Sequence, residues 1–411
     1  MSIHKQFSHL FALSTIALLI SACGGGSGSS DNSSSGGNPP PANGDLFTVK
    51  ANTWTITPVV KTEYCYDIDT QKEVPNCSND NWDLKFYMDN RIPALFTNSG
   101  VSGSGQGGVL SSPFDSTWLD LIKEKDATQG GTIPAAAWVV DSYSNAFMDT
   151  TRGFNSFFEY DLFGDHQMSP NFKTYLITTN RSNLSAIGTT EQPVFALQIT
   201  GYYQGTTSGH ISLRYIDTAQ PTEIKELKVD ATQGWNYVNL KDKTVSSSRN
   251  SDWQIAFNRY NVEVNSEVGS YIANQPDGFY DAQAQPITSQ FKNPNAVEST
   301  KAGLELATKA TKIPWSSNTI KSLLNPTFQG AYPNKLSYGW YNYYPTVASA
   351  QAAGLQVEHT LAANPDAGSM IRGNNGKSYA RMRLKEIRYA DPKDSKSQTT
   401  WTFEFDVQPS K

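Results

Sequence analysis

Residues 237–257 read YVNLKDKTVSSSRNSDWQIAF, and residues 66–86 read YDIDTQKEVPNCSNDNWDLKF. A shift of 171 positions lays one stretch on the other without a gap. Tyr66 then meets Tyr237, Lys72 meets Lys243, Val74 meets Val245, Trp82 meets Trp253 and Phe86 meets Phe257. Each stretch reads as strand, turn, strand, polar segment and then a Trp-led strand. In Trp82-Asp83-Leu84-Lys85-Phe86 and Trp253-Gln254-Ile255-Ala256-Phe257 the large apolar residues alternate, which puts them on one face of a sheet. An internal repeat of this kind decides the architecture before any single element does.

Outward from this pair, the later parts of the two copies match with gaps. Phe158-Glu159-Tyr160 is echoed by Tyr341-Asn342-Tyr343, and a histidine follows each, His166 and His359. The intervening loop differs by ten residues. Phe195-Ala196 is echoed by Tyr379-Ala380, and the copies close on alternating strands at 211–215 and 401–405. The pattern predicts a mainly β fold: two similar antiparallel β-rich domains, 45–217 and 222–411, joined near Gln220-Pro221, with a few short helices. Helices are expected around 118–126, 302–312 and 319–324.

Only 17% of the 411 residues are charged, which excludes a coiled coil. A formal net charge of −5 argues against a nucleic-acid-binding chain, which needs a basic footprint.

Residues 1–23, MSIHKQFSHLFALSTIALLISAC, hold an apolar run from Phe11 to Ile20 that is short for a membrane-spanning helix and fits a signal-peptide core. Its end, Leu19-Ile20-Ser21-Ala22-Cys23, resembles the bacterial lipobox. That resemblance implies a lipidated Cys23, and Gly24 in place of Asp implies the outer membrane. Residues 24–44 are almost all Gly, Ser, Asn and Pro, and read as a flexible tether with a reach of about 25 Å. Cys65 and Cys77 remain. They flank a strand–turn–strand pattern in a compartment that permits disulfides, so a bond closing a hairpin is expected. Metal-binding thiolates are the alternative, with no nearby His or second Cys pair.

The second copy carries a fuller signature. Gly234-Trp235-Asn236-Tyr237-Val238-Asn239-Leu240 is followed by Lys243-Thr244-Val245. Then come Ser251-Asp252-Trp253-Gln254-Ile255-Ala256-Phe257-Asn258-Arg259-Tyr260 and Val262-Glu263-Val264-Asn265-Ser266. In this order the segments resemble the HmuY family of haem-binding lipoproteins. Trp340-Tyr341-Asn342-Tyr343 and the strand at 376–384 also resemble it, whereas the first copy echoes it more weakly in Trp82-Asp83-Leu84-Lys85-Phe86 with Asn98-Ser99 downstream. The resemblance covers nearly all of the chain beyond the tether, as a tandem duplication, and departs from the family in having two copies. It implies a non-enzymatic mainly β protein for iron acquisition. Such a protein captures haem and passes it to an outer-membrane TonB-dependent haem receptor. It also implies axial ligands drawn from His and Met.

Beyond the signal segment the chain has His166, His210 and His359, with Met88, Met148, Met168, Met370 and Met382. His166 leads as a metal ligand, because it sits in a loop-like stretch beside Asp165, which could orient it. His359 is its counterpart. Met168 and Met148 are the further haem-binding candidates. Each of these has a plainer reading, a surface histidine bonded to a neighbour or a core methionine. Met382, on an alternating strand, reads as core, and His210 as a surface edge position.

Residues 100–108, GVSGSGQGG, lack the Lys-Ser/Thr of a phosphate loop and read as a mobile loop. Asp67-Ile68-Asp69 lacks the rest of a calcium loop. No nucleophile elbow, zinc-protease helix or Ser-His-Asp order is present, so no enzyme is expected. Trp82 and Trp253 read as core. The alternatives to haem are a glycan, another tetrapyrrole or cobalamin, or a receptor-accessory role without a small ligand.

Overall fold

The computed structural model describes residues 44–77, 80–148, 157–182, 185–265 and 268–410. Cys23, the signal segment and all of the tether except Gly44 lie outside the described residues. The chain is mainly β, as expected. Its first stretch carries β1 (Val49–Ile56), β2 (Glu63–Asp67), β3 (Lys72–Val74), β4 (Leu84–Asp89), β5 (Ile92–Thr97), β6 (Gly108–Leu110), β7 (Trp138–Val139) and β8 (Ser142–Ser144). Next come β9 (Phe158–Tyr160), β10 (Met168–Pro170), β11 (Thr174–Thr178), β12 (Val194–Gln204) and β13 (Thr207–Asp217). The third stretch has β14 (Lys225–Asp230), β15 (Asn236–Asn239), β16 (Thr244–Ser246), β17 (Ile255–Asn258), β18 (Asn261–Val264), β19 (Gly269–Asn274) and β20 (Thr319–Lys321). The last has β21 (Leu336–Ser337), β22 (Tyr341–Tyr344), β23 (Thr360–Ala363), β24 (Ser369–Arg372), β25 (Tyr379–Tyr389) and β26 (Thr399–Gln408).

The sheets do not follow the expected division between 217 and 222. One six-stranded sheet runs β1-β26-β25-β24-β6-β7, so strands from both ends of the chain pair with each other. A five-stranded sheet runs β14-β13-β12-β11-β19. Each packs on a four-stranded sheet, β3-β2-β4-β5 or β16-β15-β17-β18, and the two small sheets have the same strand order. The strands within all four pair antiparallel. Two lobes result. A terminal lobe joins the first half of copy one to the second half of copy two, and a central lobe, about 142–321, joins the other two halves. The copies have exchanged halves, as two chains do in a domain swap.

The cores obey this division. In the central lobe, Val238, Ile255, Phe257 and Val262 meet Phe195, Leu197, Leu213 and Tyr215. In the terminal lobe, Tyr66, Leu84, Phe86 and Leu95 meet Met382, Leu384, Trp401 and Phe403. Burying one such large side chain contributes about 1.5–3 kcal/mol. Trp82 and Trp253 are buried, as expected of core residues.

Hydrogen bonds give the register of the repeat. Asp67 Oδ1 accepts the N–H of Asp69 and Thr70 at 2.9 and 3.0 Å, and Asn239 Oδ1 accepts those of Lys241 and Asp242 at the same distances. Asp67 therefore corresponds to Asn239, and Cys65 to Tyr237, one residue off the shift read from the sequence. In the Trp-led strand that shift holds. The Asp83 carboxylate accepts Ile68 N–H at 2.7 Å, and Gln254 Oε1 accepts Leu240 N–H at 2.7 Å. Asn98 and Asn265 then donate to the carbonyls of Trp82 and Trp253. In the long hairpins, Phe195 and Ala380 both face the inter-sheet core, so the pairing of Phe195 with Tyr379 is also one residue out.

The chain passes between lobes twice, and β8 pairs with β20 where it does so. Each crossing is pinned by matching groups. Asp141 Oδ2 accepts Thr97 N–H at 3.0 Å, and Asn318 Oδ1 accepts Val264 N–H at 3.1 Å. Asn325 clamps both backbone groups of Leu95 at 2.8 Å, and Asn145 donates to Val262 O at 3.0 Å. Burial raises the Asp141 carboxyl to about 6. The expected helix at 319–324 is thus replaced at 319–321 by a strand, because Ile320 has Tyr143 as its antiparallel partner.

Helices form at Trp118–Leu121 and Ala302–Ala307, shorter than expected. Others, at Thr288–Phe291, Ala296–Ser299 and Val347–Ala352, were not anticipated. The glycine-rich segment at 100–108 is packed in place. A Cβ on Gly103 would sit 2.0 Å from Asn98 Oδ1, and one on Gly105 would sit 2.7 Å from Asn98 O. The glycines let the backbone wrap Asn98, whose side chain ties the loop to the Trp-led strand. Among the described residues no helix is long and apolar enough to cross a membrane.

Candidate functional site

The two histidines fall at matching places. On one hairpin Tyr160 pairs with Met168, and on the other Tyr343 pairs with Leu361. His166 and His359 each precede those partners by two residues, and both adopt left-handed backbone, with φ of 55° and 57°. The two histidines thus share a backbone conformation, one that Lys61, Gln71, Phe114 and other described residues also adopt.

Their surroundings differ. The His166 side chain is 78% exposed, its Nδ1 3.6 Å from Asp161 Oδ1, and its backbone N–H donates to the same carboxylate at 2.7 Å. Asp161, not the expected Asp165, is therefore its acidic neighbour. Met168 packs partly on the central core, and its N–H donates to the Tyr203 hydroxyl. Met148 is partly buried, with its N–H donating to Asn145 O.

His359 lines a cleft of about 380 Å³ together with Arg91, Ile92, Tyr338, Tyr341, Tyr343 and Leu361. The size falls within the range of small-molecule sites. Tyr341 and Tyr343 alternate along β22 and so share a face, and Tyr338 stacks on Tyr341 with planes 2° apart and centroids 4.8 Å apart. Burial pushes the Tyr338 and Tyr341 hydroxyls up, so both stay protonated at neutral pH. Tyr343 Oη lies 2.6 Å from His359 Nδ1. Arg91, at the β4–β5 turn, donates to the carbonyls of His359 and Ser395 and sets a positive charge at the cleft. Leu361 is held by its N–H donating to Tyr389 Oη at 2.8 Å.

The expected ligand set is therefore not gathered in one place. His166, Met168 and Met148 belong to the central lobe, His359 to the terminal lobe, and neither methionine lines the His359 cleft. Met88, Met370 and Met382 are buried core residues. His210 lies within β13 opposite Asp230, partly buried rather than on an edge. The tyrosines at 341 and 343 could be noticed in the sequence as part of the Trp340–Tyr343 echo. Arg91 and Ile92 could not, because only the exchanged topology brings a turn of copy one beside a hairpin of copy two. Cys65 and Cys77 form the expected disulfide, with Cα atoms 5.2 Å apart.

No protein-family model matches this chain, and neither a curated protein nor a solved structure matches it.

Proposed function

We propose that the chain is a haem carrier that binds the porphyrin in the terminal-lobe cleft. The bound haem is held for transfer to an outer-membrane TonB-dependent receptor. The observation that carries this reading is the His359–Tyr343 pair inside a wall of tyrosines. A porphyrin needs a flat apolar surface, one or two ligating atoms and a counter-charge for its carboxylates. The stacked Tyr338 and Tyr341 with Leu361 and Ile92 supply the first, the His359–Tyr343 pair the second and Arg91 the third. The lipobox resemblance of Cys23 and the Gly/Ser/Pro tether support a carrier anchored by lipid at the outer membrane and free to reorient.

Adding haemin to the purified chain is expected to shift the Soret band. Ile92→Asp places a carboxylate at the cleft on a residue that is 70% exposed, and should weaken binding about tenfold or more while leaving the fold intact. A wild-type spectrum identical to free haemin overturns the proposal.

A further inference from the structure

We propose that the central lobe binds a small organic monocarboxylate in a cleft on the outer face of its five-stranded sheet, with Arg214 as the group that recognises the carboxylate. This site is separate from the haem cleft and does not rest on it. The cleft holds about 460 Å³, within the range of small-molecule sites. Thr200 of β12, Ser212 and Arg214 of β13, and Glu226 and Lys228 of β14 line it from the sheet, and Val297 of the short helix Ala296–Ser299 lines it from above. Leu213 and Tyr215 fill the inter-sheet core, so Ser212 and Arg214, which alternate with them, point to the opposite face.

The repeat shows what is unusual about Arg214. Both long hairpins have a register shift after the same core pair, Ile199–Leu213 in one and Leu384–Phe403 in the other. Counted from that shift, Arg214 corresponds to Glu404 and Gln198 to Arg383. In the terminal lobe the pair is ionic: Arg383 Nη2 and Lys385 Nζ each reach a Glu404 carboxylate oxygen at 2.7 Å. In the central lobe Arg214 is only 3% exposed, yet its cross-strand partner is an amide. Its Nε donates to Gln198 Oε1 at 2.8 Å and its Nη2 to Thr300 Oγ1 at 3.0 Å. Gln198 is itself fixed, since its Nε2 donates to Thr174 Oγ1 and Thr300 O at 2.8 and 2.9 Å. These partners satisfy hydrogen bonds but not charge. Among the described residues no carboxylate lies within 4.0 Å of the guanidinium, and Nη1 has no hydrogen-bond partner. Burial holds the guanidinium below its usual range, and the exposed Glu226 and Glu298 offset this only in part.

A buried cation without a counter-charge is costly, and an anion in the cleft supplies one. The planar donors of arginine match a carboxylate. Arg214 and Lys228 set against Glu226 leave one net positive charge, which suits a single carboxylate over a doubly charged phosphate. Val297, 41% exposed, offers an apolar surface to the rest of the ligand.

Benzoate is the probe, with benzamide as its uncharged counterpart and inorganic phosphate as the doubly charged anion. Each is titrated into the purified chain and followed by amide and arginine Nε–H resonances. Benzoate should shift Arg214 Nε–H and the amides of 212–214 and 226–228 saturably, with benzamide and phosphate at least about tenfold weaker. Arg214→Gln should lower benzoate affinity about tenfold or more. Lys228→Gln, at an exposed position that leaves the fold intact, should lower it about twofold to fivefold, and Glu226→Gln should raise it by a similar factor. The Arg383 Nε–H and the amides of β26 should stay in place. Resonances of β13 and β14 that ignore benzoate overturn the proposal, as do equal shifts in β26 or binding that survives both Arg214→Gln and Lys228→Gln unchanged. Benzamide or phosphate binding as tightly as benzoate overturns the ligand class.

Discussion

The two lobes solve one folding problem with different chemistry. Where the central lobe has Tyr237, the terminal lobe has Cys65. Tyr237 packs on Trp253 with the Arg249 guanidinium over both rings, and Arg249 pairs with the buried Glu263 carboxylate. Cys65 instead bonds to Cys77 beside Trp82. A second contrast lies at the matching turns. Asp67, Asp69 and Asp83 in the terminal lobe correspond to Asn239, Lys241 and Gln254 in the central lobe. The three carboxylates come within 4.8 Å of one another, and burial lifts Asp83 to about 7. A third contrast is the cleft beside His359, proposed as the haem site, in the terminal lobe. Backbone architecture is thus shared, while the covalent staple, the titrating cluster and the proposed haem site gather in the lobe built from the chain's two ends.

Cutting the chain should break the comparison most completely. Residues 142–321 contain every strand of the five-stranded sheet and its four-stranded partner, so this fragment should fold alone, with dispersed amide resonances and cooperative melting. The fragment 45–217, one whole sequence copy, should not, because β14 and β19 flank its long strands and lie outside it. A folded 45–217 and an unfolded 142–321 would refute the exchange.

The acidic turn should distinguish the lobes next. A carboxyl raised on folding holds a proton that the unfolded chain releases, so its contribution to stability is present at low pH. It is lost as pH rises from about 4 toward about 7. For Asp83 this amounts to at most about 4 kcal/mol. Asp83→Asn should flatten stability against pH over that window, read as a slope from urea unfolding. The terminal-lobe amides of β2 and β4 should report the change, and those of β15 and β17 should not.

The disulfide sharpens the contrast further. Replacing Cys65 and Cys77 by serine should cost about 3 kcal/mol, the value expected for closing a short loop. Hydrogen exchange should place the loss in β2–β5. Arg249→Ala should weaken β15–β18 instead, by about 1–3 kcal/mol, since it takes the guanidinium donors away from the buried Glu263 carboxylate.

Much of the fold is legible in the sequence, and what is not has physical causes. Alternation around Trp82 and Trp253 locates the strands, because a half-buried strand must repeat every second residue. Matching Tyr66 to Tyr237 put the hairpins one residue out of register. The turn, not the tyrosine, sets register, through Asp67 and Asn239. The exchange was invisible for a deeper reason. The copies resemble each other, so each half carries the pattern needed to pair with either complement, and nothing local says which one it meets. For the site, the spacing of Tyr and His is readable, and it puts His166 first with His359 as its counterpart. The difference between an exposed His166 and a His359 bound to Tyr343 is not readable, since Arg91 and Ile92 complete the cleft from about 270 residues away.

The most direct measurement is a haemin titration of His359→Ala and His166→Ala beside wild type, followed at the Soret band. The terminal-lobe site predicts one equivalent bound per wild-type chain, an unchanged isotherm for His166→Ala, and binding weakened about tenfold or more for His359→Ala. Two equivalents in wild type, or loss confined to His166→Ala, would contradict it.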